Sequence, residues 1–189
     1  MLSVVIATHE NERELVPTLA ALVPGAVDGL VSEVIVADGA SRDAGAQIAE
    51  GVGCRVLVSS EPYGARLQEA AATARSPWLL FLRPGAVPDF TWIEECRRFI
   101  EGSDPKTPPA AAFRMSAGRV QPGIRGTIAH LFAILRTAPS DGLLIGKGLY
   151  ERLGGHASGE TDPERALLRR IGRHRLVVLR AGIHRPIYY

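Results

Sequence analysis

The sequence has few cysteines and almost no net charge, so it lacks the marks of a cysteine-rich metal-binding protein and of a nucleic-acid-binding protein. Its 189 residues include two cysteines, Cys54 and Cys96, which are far apart and lack the spacing of metal ligands. We expect both to be reduced thiols in the core, as is usual inside cells. The 22 basic and 20 acidic residues leave a net charge of +2, which is too small to indicate nucleic acid as a partner.

Long apolar runs are also missing. No stretch reaches the roughly 18 apolar residues that a membrane-spanning helix requires. The opening "MLSVVIATHE" lacks the basic segment and the longer apolar run of a signal peptide. We therefore expect a cytoplasmic protein with no transmembrane segment, either free or peripheral at the inner face of the membrane.

Two nucleotide-binding fingerprints are absent. No glycine-x-glycine-x-x-glycine follows Thr8, and there is no Walker lysine loop. These absences argue against a nicotinamide enzyme and against a nucleoside triphosphatase.

What the sequence does contain is a regular alternation of strand and helix patterns over its first hundred residues. Short runs rich in valine and leucine predict buried strands at 2–8, 33–38, 54–59 and 77–82. Apolar residues at helical spacing between and after them predict helices within 11–23, 41–53, 63–75 and 91–101. This alternation predicts an α/β fold with a parallel sheet covered by helices.

The second half has shorter and less regular elements. Its patterns predict strands at 110–115, 141–146 and 174–182, and helices at 123–138, 149–155 and 162–173. The segment Ile124–Leu135 has few charges, so it either packs on the core or forms the wall of a binding site or a membrane-surface contact. No linker is evident, and we expect one domain with halves 1–101 and 110–189.

Three turns follow predicted strands, at the edge where open parallel sheets bind ligands. They are "THENE", "DGASRD" and "RPGAVPD". Asp38 ends a buried strand, where an unpaired carboxylate is costly. It accepts hydrogen bonds either from neighbouring backbone amides or from a nucleotide base or ribose. We expect Ser41 to cap the next helix and Asp43 to lie in its first turn.

These segments carry a resemblance to a known family. "SVVIATHENERELVPTLAAL", "EVIVADGASRDAGAQIA" and "PYGARLQEAAATARSPWLLFL" resemble the N-terminal half of a family 2 nucleotide-sugar glycosyltransferase with the GT-A fold. The later "DGLLIGKGLYERLGGHASGETDPERALLRRIGR" resembles the acceptor half, so the likeness runs from Ser3 to Gly182. It implies a Rossmann-like, mostly parallel sheet flanked by helices, with a smaller mixed C-terminal half.

The resemblance also implies a ligand set. The donor would be a UDP- or GDP-sugar, with a divalent cation, Mg or Mn, bridging its two phosphates. Thr8 and Glu10 would line the nucleotide pocket, Asp38 would contact the base, and Gly64 and Arg66 would lie near the donor. The acceptor is unknown. The basic C-terminal region is either a solvated face or a site for a phosphate-bearing or lipid-linked acceptor.

The sequence departs from the family at the cation motif. The family carries Asp-x-Asp after its fourth strand, whereas Arg83 and Gly85 stand there in this chain. Arginine does not ligate a cation, so the usual ligands are missing and the motif is degenerate. Three interpretations follow. Arg83, with Arg66, replaces the metal at the diphosphate; the domain binds without catalysing transfer; or Arg83 is a surface residue on a Pro84–Gly85 turn.

The candidate catalytic base lies in "SGETDPE". The resemblance implies that the family's acidic pair falls at Glu160 to Asp162, where a carboxylate deprotonates the acceptor hydroxyl. Asp162 precedes Pro163, so it is equally placed to cap the following helix. The leading interpretation is sugar transfer with inversion, and the alternative is an inactive nucleotide-binding or interaction module. A nucleotidyltransferase is disfavoured, because its glycine-rich N-terminal loop is absent.

Overall fold

The structure, a computed structural model, describes residues 1–104, 109–115 and 141–186. The helix predicted at 123–138 lies outside these ranges. The first part contains β1 (Leu2–Thr8), α1 (Glu12–Val27), β2 (Val31–Asp38), α2 (Gly45–Gly51), β3 (Arg55–Val58), α3 (Tyr63–Thr73), β4 (Trp78–Leu82), β5 (Val87–Pro88) and α4 (Trp92–Glu101). The second part contains β6 (Ala110–Met115), β7 (Gly142–Gly146), α5 (Lys147–Arg152), α6 (Pro163–Ile171) and β8 (Leu176–His184).

One eight-stranded sheet includes strands from both parts, in the order β3-β2-β1-β4-β7-β6-β8-β5. The first four strands in this order are mutually parallel, as predicted. Strand β7 runs antiparallel to both β4 and β6, whereas β6 and β8 are parallel. The sheet is therefore parallel on one side and mixed on the other.

The strand register determines which loops lie together. Thr8 at the end of β1 pairs with Asp38 at the end of β2. Leu82 at the end of β4 pairs with Gly142 at the start of β7, which places Arg83 beside Asp141. The loops after β1, β2 and β4 consequently meet at one edge of the sheet.

The core has a layer on each face of the sheet. Side chains of α1 and α4, such as Leu15 and Trp92, pack on one face. Side chains of α3, α5 and α6, such as Leu67 and Leu167, pack on the other. All residues of β1 are buried, which explains why its sequence is apolar without alternation. Each fully buried Leu or Ile side chain contributes about 1.5–3 kcal/mol to folding.

Some sequence predictions need correction. Helix α1 extends to Val27, beyond the predicted end at residue 23; it continues through Pro17 and Pro24 because its buried leucine face holds it on the sheet, although each proline removes one helical hydrogen bond. Helix α2 begins only at Gly45, so Ser41 does not cap it and Asp43 precedes its first turn. Strand β5 has two residues, too few to give a pattern. No helix in the described ranges is long and apolar enough to cross a bilayer.

Candidate functional site

A cleft of about 440 Å³ opens at the carboxyl ends of β1 and β4. Its walls come from the loop after β1, from α1 and α3, from the loop after β4, and from the segment after β8. The lining residues are Ala7, Thr8, His9, Asn11, Glu14, Tyr63, Arg66, Arg83, Pro84 and Arg185. Open α/β sheets bind their ligands at this position, so the cleft is the candidate site.

Arg66 supports the base of the cleft. Its side chain is buried, and Nη1 donates hydrogen bonds of 2.7 Å to the carbonyl oxygens of Thr8 and Ala37. Nε donates to the carbonyl of Glu61 at 3.1 Å. Burial lowers the pKa of Arg66, while the charge of Asp38 acts in the opposite direction. The guanidinium thus joins the ends of β1 and β2 to the loop before α3.

Asp38 is almost completely buried, with 1% of its surface exposed. Its carboxylate accepts hydrogen bonds from the Ser41 backbone N–H at 2.8 Å and from the Ser41 hydroxyl at 2.5 Å. These contacts agree with the local interpretation of Asp38, in which its carboxylate closes its own turn. A nucleotide base that reached this carboxylate would have to displace Ser41.

The loops after β1 and β2 are connected by reciprocal hydrogen bonds. Glu10 accepts from the Arg42 N–H at 2.8 Å, and the Glu10 N–H donates to the Ser41 hydroxyl at 3.0 Å. Asp43 accepts from the Glu12 N–H at 2.9 Å, which satisfies a free amide at the start of α1. These bonds make the two loops one connected rim beside the cleft.

Arg83 begins a tight turn with Pro84 and Gly85. The Ala86 N–H donates to the Arg83 carbonyl at 3.0 Å, and Gly85 has φ of +84°, as a type II turn requires. The Gly85 N–H also donates to the Glu14 carbonyl at 2.8 Å, which fixes the turn to α1. The predicted Pro-Gly turn is confirmed, but Arg83 is not simply a surface residue.

The Arg83 guanidinium forms a bidentate ion pair with Glu164 at the start of α6. Nε donates to Oε1 at 3.0 Å, and Nη2 donates to Oε2. The Tyr63 hydroxyl donates to the same Oε1 at 2.6 Å. Burial and the charge of Glu164 raise the pKa of Tyr63, so it stays a donor. Burial by itself lowers the pKa of Arg83, but its bonds to Glu164 outweigh this and raise the pKa.

A second pair of the same kind lies beside Arg83. Arg185, just after β8, donates from Nε and Nη2 to the two oxygens of Asp141, at 3.0 and 2.6 Å. These bonds raise the pKa of Arg185. The Arg83 N–H donates to the Asp141 carbonyl at 3.4 Å. Asp141 therefore contacts both arginines, one through its backbone and one through its side chain.

The remaining predicted site residues lie outside the lining of the cleft. A Cβ atom on Gly64 would lie 2.6 Å from the Ala157 carbonyl oxygen, so glycine is needed for α3 to approach that segment. Asp162 accepts from the Arg165 N–H at 3.0 Å and caps α6. Glu160 pairs with Arg169 at 4.0 Å. The structure thus brings Thr8, Arg66 and Arg83 together in the cleft, and it places the acidic pair beside α6.

The side chains present do not fit the divalent cation that the resemblance implies. At the family's cation position the guanidinium of Arg83 is paired with Glu164. The carboxylate of Asp89 accepts two bonds from Thr91 at Oδ1 and one from the Gly182 N–H at Oδ2, so both of its oxygens are engaged within the protein. In residues 1–104, 109–115 and 141–186, no three His, Cys, Asp or Glu side chains are grouped to hold a metal ion.

Glu164 and Asp141 were not predicted as site residues, and Arg185 was predicted only as part of the basic C-terminal region. Glu164 is 81 residues from Arg83, and Asp141 is 44 residues from Arg185, so no local pattern indicates either pair. A partial signal existed for Glu164, because it lies in the acidic "ETDPE" segment. The sequence of that segment does not indicate which of its three carboxylates, Glu160, Asp162 or Glu164, pairs with Arg83.

The comparisons with known proteins identify the family and the fold. The family model for glycosyl transferase family 2 matches residues 3–115, which is more than half of the chain. The chain belongs to this family. None of the curated protein sequences matches it.

Solved glycosyltransferase structures share the fold. S. aureus TarS 1–349 in complex with UDP is 18% identical with a TM-score of 0.74, over 98% of this chain and 60% of that chain. Mycobacterium tuberculosis glucosyl-3-phosphoglycerate synthase with Mn2+, UDP and glucosyl-3-phosphoglycerate is 20% identical with a TM-score of 0.72, over 100% of this chain and 73% of that chain. The fold is GT-A, as the resemblance implied, and this chain spans about 60% of the length of the TarS chain.

Proposed function

We propose that this protein is a nucleotide-sugar glycosyltransferase whose donor, a UDP- or GDP-sugar, binds in the cleft beside β1 and β4. The observation that carries the proposal is the position of the cleft, at the carboxyl ends of parallel strands in a family 2 domain. TarS and glucosyl-3-phosphoglycerate synthase have been solved with UDP, which supports a uridine nucleotide as the first choice of donor.

The donor would extend across the rim and the arginine-lined wall. Thr8, Glu10 and Asp38 are proposed for the nucleoside end, since they belong to the loops after β1 and β2. Arg66 and Arg83 are proposed for the diphosphate end, because guanidinium groups bind phosphate well. Gly64 would contribute by allowing α3 to pack closely, without touching the donor.

Transfer to an acceptor, with inversion at the anomeric carbon, requires a carboxylate that removes the hydroxyl proton. Asp162 is the proposed base, with Glu160 as the second candidate. The cap on α6 uses Oδ1 of Asp162, Oδ2 lies 3.9 Å from Nε of the exposed Arg165, and the Asp162 side chain is half exposed. An unknown acceptor, including a lipid-linked or phosphate-bearing one, would enter from this side. The alternative is an inactive module that binds the nucleotide and catalyses no transfer.

Turnover tests the proposal. We would measure nucleotide release from UDP- and GDP-sugars, with water or simple sugars as acceptor, for the wild type, Asp162→Asn and Glu160→Gln. Asparagine also caps helices, so Asp162→Asn keeps the fold. If Asp162 is the base, this variant is expected to release nucleotide roughly 100-fold more slowly, while Glu160→Gln is nearly unchanged. Equal rates for all three proteins would remove Asp162 from the mechanism. Nucleotide binding without release in the wild type would favour the inactive module.

A further inference from the structure

Arg83 and Arg185 are each paired with a carboxylate that is more deeply buried than the arginine itself. The side chain of Arg83 is 36% exposed and that of its partner Glu164 only 11%. The side chain of Arg185 is 45% exposed and that of its partner Asp141 only 9%. In each pair the carboxylate lies deeper than the guanidinium. Within each pair, a ligand in the cleft therefore meets the guanidinium before the carboxylate.

The hydrogen bonds leave the same donors available in both arginines. Arg83 and Arg185 each use Nε and Nη2 to bind their carboxylate. A guanidinium has five N–H donors, so each keeps three after these two bonds, including both hydrogens of Nη1. A phosphate can accept from these donors while the carboxylate stays bound at the opposite edge.

The positions of the two guanidiniums are fixed relative to each other. Asp141 holds Arg185 through its carboxylate and accepts from the Arg83 backbone N–H through its carbonyl. The turn that carries Arg83 is attached to α1 through the Gly85 N–H. Little side-chain ordering is then needed when an anion binds, which favours affinity.

We propose that Arg83 and Arg185 form a clamp for the diphosphate of a nucleotide and that this clamp works without a divalent cation. The inference rests on the proposed function, because it assigns the diphosphate-binding residues of the same cleft. Because Glu164 and Asp141 balance the charge of the two arginines, binding depends on the N–H donors that remain free on the two guanidiniums. Guanidiniums offer fork-shaped donors that match phosphate oxygens. Charge that develops on a leaving diphosphate is stabilised by such preorganised donors.

The clamp also explains why the residues do not fit a cation. A divalent ion placed between the phosphates would face guanidinium N–H donors, which cannot ligate a cation, in place of oxygen ligands. Arginine at the first position of the motif therefore changes how the charge of the diphosphate is neutralised. It does not merely delete a ligand.

Binding of inorganic pyrophosphate in the presence of EDTA tests the clamp without assuming a base or a sugar. We expect the wild type to bind pyrophosphate more tightly than inorganic phosphate in calorimetric titrations. Arg83→Met and Arg185→Met are each expected to weaken pyrophosphate binding by roughly 10- to 100-fold, the scale of lost charge-assisted hydrogen bonds. Arg180→Met is the matched control, because Arg180 is an exposed arginine of β8 that lines a different groove. Its binding is expected to match the wild type.

A double variant controls for the possibility that Arg83→Met loses affinity because it misfolds. Arg83→Met leaves the buried Glu164 without its partner, so Arg83→Gln/Glu164→Gln is included to retain a neutral hydrogen-bonded pair. This double variant is expected to lose pyrophosphate affinity to the same extent as Arg83→Met.

The outcomes separate the clamp from the proposed function. If pyrophosphate binds only with manganese, or if the arginine variants bind it as well as Arg180→Met does, the clamp is wrong, and nucleotide binding with manganese would leave the function standing. If pyrophosphate binds through the arginines and neither UDP nor GDP binds more tightly, the clamp stands and the nucleotide-sugar function fails. If pyrophosphate, UDP and GDP all fail to bind, both are overturned.

Discussion

The buried imidazole of His156 predicts a specific loss of stability in mild acid. His156 is 1% exposed, and its Nδ1 lies 2.9 Å from the Tyr150 hydroxyl oxygen. Its ring packs edge-on against Phe81 at 4.7 Å between centroids. Burial, with a smaller effect from the charge of Arg170, lowers the pKa of His156 to about 3. The residue precedes the segment that leads to Asp162 and Glu164.

The size of the effect follows from the difference in proton binding. The unfolded chain takes up a proton on His156 below its ordinary pKa of 6.5, while the folded protein does so only near 3. Stability from this residue is therefore complete above pH 6.5 and is lost as the pH falls from 6.5 towards 3. Each pH unit in this window corresponds to about 1.4 kcal/mol, so lowering the pH from 6.5 to 4.5 costs roughly 2.5 kcal/mol.

Urea denaturation at pH 6.5, 5.5 and 4.5 measures this dependence. The comparison is between the wild type and His156→Asn, since asparagine keeps a polar atom near Tyr150 but does not titrate in this range. The wild type is expected to lose about 2.5 kcal/mol more than the variant over the two pH units. His174→Asn, which changes an exposed histidine, serves as the control and should follow the wild type. Parallel pH profiles for the wild type and His156→Asn would show that His156 does not cause the loss of stability in acid.

Two further predictions concern packing and the base of the cleft. Gly25→Ala would place a Cβ 2.5 Å from the Trp92 ring, so we expect it to lower the free energy of unfolding by about 1–3 kcal/mol. Gly51→Ala is the control, because a Cβ there has no atom within 4 Å, and we expect it to leave the free energy of unfolding unchanged. Equal urea midpoints for the two variants would contradict this prediction. Arg66→Met removes the bonds to the carbonyls of Thr8 and Ala37, and we expect a loss of about 3 kcal/mol, against little change for the exposed Arg152→Met. A thermal or urea unfolding series that shows no difference between these two variants would exclude the structural role of Arg66.

The arrangement of the first hundred residues could be predicted because local pattern and burial coincide there. Strand β1 is buried along its whole length, so its unbroken apolar run correctly predicted a strand that is covered on both faces of the sheet. The Pro84–Gly85 turn could also be predicted, since proline and glycine restrict the backbone directly. The edge of the sheet where the cleft opens could be predicted from the topology, because parallel strands place their carboxyl ends together.

The chemistry inside the cleft could not be predicted in the same way. Arg66 occurs in an alanine-rich helix, and nothing in its neighbourhood shows that it reaches the carbonyls of two strands. The pairs of Arg83 with Glu164 and of Arg185 with Asp141 join residues distant in sequence. Such contacts depend on how the second half packs on the sheet, and its short elements carry weak periodic signals.

Titration of the wild-type protein with UDP and GDP, in EDTA and separately in manganese, tests whether the cleft binds a nucleoside diphosphate without a metal ion. We expect one nucleoside diphosphate to bind in EDTA, with an affinity that manganese changes little. We expect the matching nucleoside without phosphates to bind much more weakly. A strict requirement for manganese would contradict the arginine-based site. Failure of both nucleotides to bind under either condition would contradict the assignment of the cleft as a nucleotide-sugar site.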